Sequence, residues 1–483
     1  MKKIILTMSI LLCVTCRTYA ATVDAESCSF AHVSAAVTSA IAGDTVQVPA
    51  GTCDWGTNSL VIDKAIKIIG KGPDLTKISM DYTTITHQSI TVKTPLTHQD
   101  FPFRLSGFRF EKLNGRTVWI EGNSSGWRVD NIHFIGGEAT NNPNHFQAQM
   151  TGDTAELAGL VDNCYFYWGL LGVGSSNTTA RAHSWSTDYV PGSGSAVYFE
   201  NNTFNYTSST IRYTAFVDAN NGGRYVFRYN NVLGQGSVQN HGTCNSGVWG
   251  ARSFEIYNND LRSYPGISTI GYAVIRAGSG IIARNIAGGG WTSAYNGKIV
   301  LRNRRSTEGD SCYTGNYGAC DNVDEGIDNQ SDASGYLCHA QPGAGKIING
   351  KFTSEPIYAW GNTAMNICVG GTRAGLQCST FDENATTGCP GSTCKDTSSF
   401  KPNEFVVFGG GLSDTQMQAN RDFMNNTQHP NWQPYTCPHP LADPEKKGYC
   451  NPSVAGTAGY ITVNYLIPST APVFSGVVCK GCK

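Results

Sequence analysis

One asparagine recurs through the middle of the chain at nearly regular intervals. The steps between its six occurrences are 32, 38, 29, 28 and 27 residues, and the segments align on Asn131, Asn163, Asn201, Asn230, Asn258 and Asn285. An apolar residue usually stands two positions before the asparagine, and phenylalanine or leucine stands three positions after it in the first five segments. A repeat of this length is typical of a solenoid in which each repeat forms one coil.

Stacking of such coils would place equivalent residues about 4.8 Å apart. Side-chain amides in one column can then bond one to the next, which satisfies polar groups that are buried at a turn. We therefore predict that the six asparagines form a single structural column and not a catalytic site. Arg228 occupies the apolar position before Asn230, and the pattern gives no reason for it.

One short segment has the periodicity of a helix. Val33, Val37 and Ile41 are spaced to share one face, and two alanines, Ala36 and Ala40, lie on the same face. A helix at the start of a β solenoid covers strand edges and apolar core that would otherwise be open. We predict such a capping helix here.

The segments around the repeat carry a resemblance to a known family. After the predicted helix, residues 43–51 read Gly-Asp-Thr-Val-Gln-Val-Pro-Ala-Gly, and this opening resembles the first turns of the pectate-lyase-like superfamily of right-handed parallel β-helices. Residues 433–441 end in Pro-His-Pro-Leu, and over about residues 30–442 the chain is similar to uncharacterised exported β-helix repeat proteins. The resemblance implies the fold, and it implies polysaccharide as a ligand because that superfamily is rich in carbohydrate-processing proteins.

The repeat and the resemblance together predict an all-β fold. It is a single-stranded right-handed parallel β-helix, or solenoid, with an N-terminal capping helix and disulfide-rich loop insertions. The expected organisation is a signal peptide at 1–20, an N-terminal cap at 21–45, a parallel β-helix at 46–362 with an insertion at 303–346, a Cys-rich insertion at 363–404, and a C-terminal closure and tail at 405–483.

The start of the chain has the features of a secretory signal peptide. Two lysines follow Met1, an apolar run extends from Ile4 to about Val14, and the small-residue site ends at Ala20. We expect cleavage after Ala20, with Ala21 as the alternative. The protein is then secreted or extracellular, with the periplasm or cell surface also open, and nothing later in the sequence predicts membrane insertion.

The cysteines predict disulfides. The chain has 17 Cys, and 15 remain when Cys13 and Cys16 leave with the signal peptide. In an exported protein these are expected to pair. The pairs suggested by neighbouring positions are Cys28–Cys53, Cys312–Cys320, Cys368–Cys378, Cys389–Cys394 and Cys437–Cys450. An odd number leaves one thiol free, and Cys164 is the predicted free cysteine because it occupies a core position of the repeat.

Three consecutive coils each end an apolar strand in a polar group, and these groups are the candidate catalytic residues Asp218, His241 and Arg276. Arg302 holds the equivalent position in the next coil and is a candidate for substrate binding. If the coils are in register, the four form one column with neighbours about 5 Å apart. Two further arginines are nearby candidates for substrate binding: Arg212 and Arg252.

An aspartate, a histidine and two arginines suit an acidic sugar. Arginine pairs with the carboxylate of a uronate, while histidine or aspartate acts as base or acid. We therefore expect a protein that binds or processes polysaccharide, as a lyase or glycoside hydrolase on acidic glycans. The alternatives are a ladder of paired surface charges and, for the whole protein, a non-catalytic adhesin or surface structural protein.

Known signatures and other partners fit less well. The stretch Val118–Gly122 reads Val-Trp-Ile-Glu-Gly and lacks the Asp-His that pectate lyases carry at a similar stretch. A net charge of about −4 after removal of the signal peptide argues against nucleic acid, which requires a basic surface. A column of Asp130, Asp162 and Glu200 is expected to be solvated, with Ca²⁺ as the alternative and as the one possible cofactor. The oligomeric state is left open.

Overall fold

A computed structural model describes the chain over residues 20–80, 87–97, 99–113, 115–136, 144–152, 156–206, 215–234, 236–242, 249–263, 271–289, 297–302, 337, 341–368, 394–395, 397–407, 417–442 and 450. Several predictions fall outside these residues, and three of them do so almost entirely. They are the signal peptide apart from Ala20, the candidate Arg212, and the Cys312–Cys320 pair.

The described residues form thirty-four strands and two helices. The first part contains β1 (Thr22–Asp24), α1 (Phe30–Ser39), β2 (Thr45–Gln47), β3 (Gly51–Gly56), β4 (Leu60–Ile62), β5 (Lys67–Ile69), β6 (Thr76–Met80), β7 (Gln88–Lys93), β8 (Arg104–Leu113), β9 (Arg116–Gly122), β10 (Trp127–Gly136), β11 (Asn144–Met150), β12 (Gly159–Asp162), β13 (Tyr165–Tyr167), β14 (Leu170–Ser175), α2 (Thr178–Ser186), β15 (Val197–Glu200), β16 (Thr203–Tyr206) and β17 (Ala215–Ala219). The second part contains β18 (Arg224–Arg228), β19 (Asn231–Gly234), β20 (Ser237–Asn240), β21 (Ser253–Tyr257), β22 (Asp260–Ser263), β23 (Ala273–Ile275), β24 (Ser279–Ala283), β25 (Ile286–Gly289), β26 (Ile299–Leu301), β27 (Ala344–Ile348), β28 (Lys351–Ser354), β29 (Ile357–Trp360), β30 (Thr363–Met365), β31 (Ile367–Cys368), β32 (Cys394–Lys395), β33 (Phe405–Val407) and β34 (Phe423–Met424).

Most strands belong to three long parallel faces. Face 1 joins β1, β2, β5, β8, β10, β12, β15, β18, β21, β24, β29 and β34, and face 2 joins β3, β6, β8, β10, β13, β16, β19, β22, β25 and β30. Face 3 joins β4, β7, β9, β11, β14, β17, β20, β23, β26 and β33. The chain returns to each face coil after coil, so the fold is all-β and solenoid-like, an arrangement compatible with a β-helix. Two antiparallel hairpins, β27–β28 and β31–β32, stand apart from the faces.

The solenoid continues beyond the predicted insertions. β33 pairs with β26 on face 3, and β34 pairs with β29 on face 1. Both strands lie within the segment 405–483 that the sequence assigned to a closure and tail. The coils therefore extend to at least Met424.

An amide ladder runs between face 1 and face 2. At each step one asparagine donates its backbone N–H and its Nδ2 to the Oδ1 of the next, over 2.7 to 3.1 Å. The members of the ladder are Asn202, Asn230, Asn259, Asn285, Asn362 and Asn403. Because both groups are satisfied inside the solenoid at each step, the ladder fixes the register of five coils, and Asn403, just before β33, accepts the last pair of bonds.

The prediction of one asparagine column was therefore wrong in part. Asn230 and Asn285 belong to the ladder, but Asn131, Asn163, Asn201 and Asn258 stand one residue earlier. These four hold a left-handed turn, with φ of 52°, 53°, 55° and 55°. Asparagine suits both places, since it tolerates the left-handed conformation and also offers an amide. Two adjoining columns with the same preference were read as one.

The interior is built from side chains that stack from coil to coil. On face 2, the rings of Phe110, Phe134, Phe166 and Phe204 lie with centroids 6.0, 4.9 and 4.9 Å apart. Val232 follows in the next coil, because Phe204 is aligned with it in the register. The phenylalanines that recur three residues after asparagine in the first coils are thus the core of face 2.

The predicted capping helix is present as α1. Its buried residues are Val33, Ala36 and Val37, which pack into the first coils. The Lys64 ammonium donates to the carbonyl of Ala40 at 2.9 Å and so caps the end of the helix. Ile41 was expected on the buried face, but the helix ends at Ser39, the backbone of Ala40 is extended, and Ile41 is 56% exposed.

The acidic column on face 1 is buried, so the expectation of a solvated surface was wrong. Asp130, Asp162 and Glu200 are at most 1% exposed. Each accepts hydrogen bonds from one arginine: Arg104 holds Asp130 at 2.7 Å, Arg128 holds Asp162 at 2.8 Å, and Arg228 holds Glu200 at 2.7 Å. The column is neutralised by guanidinium groups and does not need a cation.

A C-terminal strap, residues 425–442, covers part of face 1. Trp432 donates its indole N–H to Glu255 at 2.7 Å, and the backbone N–H of His439 donates to Glu200 at 3.2 Å. Arg228 donates to the carbonyls of Tyr435 and Thr436, each at 2.8 Å. Arg228, which the repeat left unexplained, belongs to this charged column and holds the strap.

The cysteines agree with the predictions where they are described. Cys28–Cys53 and Cys437–Cys450 are disulfides, and the buried Cys164 is a free thiol. Cys368 and Cys394 are both disulfide-bonded. Their predicted partners, Cys378 and Cys389, lie outside the described residues.

Candidate functional site

The candidate residues lie on face 3, at the ends of three neighbouring strands. In β17, the side chains of Val217 and Ala219 enter the core, so alternation turns Asp218 outward. The same alternation turns His241 outward after β20 and Arg276 outward after β23. The local sequence thus positions each group by a simple in–out pattern.

The register places three of the four predicted residues in one column. Gln239 pairs with Val274 and Val274 with Val300, so His241, Arg276 and Arg302 follow in equivalent positions two residues later. Asp218 pairs with Gln239 instead, and it stands two residues earlier than expected. It points to the same side because strand side chains repeat every two residues.

Asp218 nevertheless joins the group across a diagonal. Its Oδ2 lies 3.3 Å from Nδ1 of His241, and its Oδ1 accepts a hydrogen bond from Nη2 of Arg276 at 3.2 Å. The side chains of His241, Asp218 and Arg276 are 25%, 19% and 8% exposed. One carboxylate therefore bridges a histidine and an arginine at the surface.

This contact sets what His241 can do. A carboxylate at Nδ1 favours the proton on that nitrogen, which leaves the lone pair of Nε2 as an acceptor. Nε2 makes no hydrogen bond to any residue that the structure describes. The imidazole can therefore take a proton from a ligand that reaches it from outside, with Asp218 stabilising the resulting cation.

Two buried polar residues, Asn240 and Tyr225, hold Arg276 in place. Nε of Arg276 donates to the backbone carbonyl of Asn240 at 2.7 Å. The Asn240 amide is itself held by the hydroxyl of Tyr225 at 2.8 Å and donates to the carbonyl of Ala277 at 3.1 Å. Burial and the Asp218 carboxylate raise the pKa of Tyr225 well above its usual value, so the hydroxyl stays a donor. Asn240 and Tyr225 were not singled out from the sequence.

The remaining predicted residues lie elsewhere or at the edge of the group. Arg302 stands one coil beyond Arg276 and is partly exposed. Arg252 is fully buried at the start of β21 on face 1, where it pairs with Glu355 at 2.9 Å and lies over the ring of Trp185. It is not part of the group formed by Asp218, His241 and Arg276. Arg212 lies outside the described residues.

Amide side chains extend the surface away from Asp218. In register order, Trp119, Gln147, Gly172 and Asp218 occupy one outward column of face 3. A Cβ on Gly172 would lie 1.9 Å from Oε1 of Gln147, so the glutamine amide lies over a coil without a side chain. We call this column with its neighbours, residues 116–121, 147–149, 172–174 and 218–220, the face 3 strip. The alternation of strands β9, β11 and β14 could have revealed it from the sequence.

Three potential metal-ligating side chains come together where the strap meets face 1, but they do not form a cation site. Among the described residues, Glu200, Cys437 and Cys450 bring ligand atoms within 4.8 Å of one another. The two sulfurs are joined in a disulfide, which leaves one carboxylate as a ligand. Glu200 is in turn bound by Arg228.

Comparison with models of known protein families, with curated proteins and with solved structures found no match. Within the described ranges, no helix is long and apolar enough to cross a membrane. The disulfides are compatible with an extracellular protein.

Proposed function

We propose that this chain is an exported right-handed parallel β-helix of the pectate-lyase-like type that acts on acidic polysaccharide. The site is the group Asp218, His241 and Arg276, with Arg302 beside it. The sequence supports export through its signal-peptide features, and the parallel faces support the fold. Right-handed connections are the rule for parallel strands.

One observation carries the proposal. The Asp218 carboxylate contacts His241 at 3.3 Å and Arg276 at 3.2 Å, on a partly exposed surface. A histidine oriented by a carboxylate is a general base, and a neighbouring guanidinium stabilises negative charge. Residues that only decorate a surface need no such convergence of three coils.

The reaction that suits these groups is β-elimination from a uronate. Nε2 of His241 takes the proton on the carbon next to the carboxylate, and the electron pair left behind forms a carbon–carbon double bond. The glycosidic bond on the adjacent carbon breaks, and the departing oxygen takes a proton from water. The positive charges of Arg276 and Arg302 stabilise the carboxylate as negative charge builds on it.

A glycoside hydrolase with two carboxylates fits the site less well. Such enzymes hold two carboxyl groups about 5 to 9.5 Å apart. Among the described residues of face 3, the nearest to Asp218 are Glu121 and Glu404. They lie three and four coils away, about 14 and 19 Å at 4.8 Å per coil. Elimination by one base is therefore the proposed chemistry.

A non-catalytic adhesin is the second candidate. It is favoured by the fact that each oxygen of the Asp218 carboxylate already faces a protein nitrogen, on His241 or on Arg276, and that Arg276 also bonds to the carbonyl of Asn240. A group whose polar atoms already bond to one another in this way can bind glycans without catalysing a reaction on them. The two candidates differ in whether product is released.

The test is a screen of acidic polysaccharides with purified protein, read by absorbance of the unsaturated product and by pull-down. We expect His241→Ala to lower product release by about 10²- to 10⁴-fold, the usual contribution of a general base. Arg276→Ala should lower it similarly, because residues that serve one step give non-additive losses. His87→Ala, a histidine on the first coils that bonds to Ser59, is the matched control and should have no effect.

Product release that survives both substitutions would refute the site. Pull-down of polysaccharide without any product in the wild type would favour the adhesin.

A further inference from the structure

Arg116 carries a positive charge that no described group neutralises. Its guanidinium makes no ion pair and no hydrogen bond with the described residues, and Nε is buried without a partner. The three arginines of the acidic column on face 1, by contrast, each have a carboxylate within 2.8 Å. Burial without a counter-ion lowers the pKa of Arg116. Such a cation is costly unless something else binds it.

The guanidinium is held in place by an aromatic ring. Its central carbon lies 4.4 Å from the centre of the Trp119 ring. The ring is in turn fixed, because its indole N–H donates to Glu121 at 3.2 Å. A stacked guanidinium keeps its edge and its N–H groups available, and it loses little freedom when it binds an anion.

Trp119 and Asp218 belong to the same column of the face 3 strip. The register runs from Trp119 to Gln147, Gly172 and Asp218, which is three coil steps. At about 4.8 Å per step the separation is about 14 Å. The side-chain amide of Gln147 lies on the surface between them, over Gly172.

We infer that Arg116, stacked on Trp119, is a distal subsite for an anionic group of the same glycan that reaches His241. The inference rests on the proposed function. It adds that the ligand is long enough to reach from His241 to Arg116. A chain lying along the strip would place one acidic group at Arg276 and another at Arg116, which is five coil steps or about 24 Å away by the register. The group is a carboxylate or a sulfate ester, since a guanidinium pairs with either.

The experiment measures binding of defined oligosaccharides to the full chain. Oligogalacturonides of two and seven residues, heparin-derived oligosaccharides of the same two lengths, and a neutral seven-residue cello-oligosaccharide are titrated by calorimetry. We expect Arg116→Met to weaken binding of the seven-residue acidic chain about tenfold, the loss of one charged hydrogen-bonded contact. Binding of the two-residue chain should not change. The heparin arm distinguishes sulfate from carboxylate recognition.

Lys93→Met is the matched control. Lys93 also lies on face 3, next to Glu121, and it is 56% exposed. Equal losses in Lys93→Met and Arg116→Met would overturn the subsite and indicate general attraction of an anion. Equal affinity of the wild type for short and long chains would overturn it and leave the site at His241 intact. No binding of any acidic oligosaccharide by the wild type would overturn the proposed function together with the subsite.

Discussion

Arg228 has no contact with solvent, yet it carries a charge. It bonds to Glu200 at 2.7 Å, to the hydroxyl of Tyr257 at 2.9 Å, and to two carbonyls of the C-terminal strap. A buried charge of this kind is stable only while its partners are present. The residue thus ties the strap to the solenoid through electrostatics.

Replacing Arg228 by methionine should therefore destabilise the protein strongly. The change leaves the Glu200 carboxylate buried and uncompensated, for which we expect a loss of about 3 to 5 kcal/mol in the free energy of unfolding. Urea denaturation followed by circular dichroism measures it. Adding Glu200→Gln to Arg228→Met should recover part of the loss, because the orphaned charge is removed.

The control is an exposed pair, Lys401 with Glu404, in which the lysine side chain is 53% exposed. Lys401→Met should cost no more than about 1 kcal/mol, since such pairs contribute little. If Arg228→Met costs as little as this control, the strap is not held by the charge.

At the residue scale, the sequence predicted which side chains of the candidate site come together better than it predicted the partners of Arg228. The alignment of strand ends in three successive coils picked out Asp218, His241 and Arg276, and the structure brings Asp218 into contact with both of the others. The Arg228 partners are 207 and 208 residues away in the chain, at Tyr435 and Thr436. No local pattern encodes a contact of that range, so Arg228 looked like a break in the repeat.

The elements are held in register by the amide ladder. Asn259 is one of its inner members: it accepts from Asn230, donates to Asn285, and donates to the carbonyl of Phe227 at 2.8 Å. Asn258, the residue before it, sits at the left-handed turn with φ of 55°. The two adjacent asparagines therefore have different physical roles.

Substitution should separate the two roles. Asn259→Leu leaves the backbone N–H of Asn230 buried without its acceptor, and we expect a loss of about 1 to 3 kcal/mol for each orphaned group. Asn258→Gly keeps the left-handed turn and should change stability little. Thermal unfolding of the two variants checks this. If Asn259→Leu is the milder of the two changes, our assignment of Asn259 to the ladder is wrong.

At the element scale, the period predicted the coils, but not the phase of every coil. In the coil of Asn230 the left-handed position is taken by Tyr229, with φ of 56°, and in the coil of Asn285 it is taken by Arg284. An alignment on asparagine alone shifts by one residue wherever a coil puts another residue at the turn. The offset of Asp218 by two positions could not be seen in the sequence either, since nothing in its own strand marks the register.

At the scale of the whole molecule, burial disfavours protonation of three histidines among the residues that the structure describes. Burial lowers the pKa of His133 and of His145 to about 4, and burial together with the charges of Arg228 and Arg128 lowers the pKa of His439 to about 3. They lie on face 2, on face 3 and in the strap. Protonation of any of them requires local opening of the structure.

Stability should fall when the pH drops from about 6.5 to about 4. In this range the unfolded chain takes up protons on these histidines and the folded protein does not, so each contributes a loss, on the order of 3 kcal/mol for a fully buried histidine. Asp162 opposes this, because burial raises its pKa to about 6 and the folded protein gains a proton there first. Glu255 opposes it in the same way, because burial raises its pKa as well. The three histidines outweigh these two carboxyls, which gives a net loss.

Melting temperatures at half-unit pH steps measure this effect. His145→Gln should flatten the fall, because the residue that titrates on unfolding is gone. A melting temperature that is constant or rises from pH 6.5 to 4 would contradict the assignment of neutral buried histidines.

At the scale of the whole molecule, the fold class could be predicted from the repeat, whereas the path of the strap could not. Its residues match no period, and its contacts depend on where the C-terminal segment folds back. The Pro-His-Pro-Leu segment was recognised only by its resemblance to other chains. The path of such a segment is set by tertiary contacts.

The strap also changes how the solenoid comes apart. In a linear stack each coil contacts only its neighbours, so the stack frays from an exposed end one coil at a time. Contacts from Trp432 to Glu255 and from His439 to Glu200 link the last coils to coils in the middle, across 177 and 239 residues of chain. The coils between these contacts can open only together, so the C-terminal half unfolds as one cooperative unit. The N-terminal coils are covered by α1 instead.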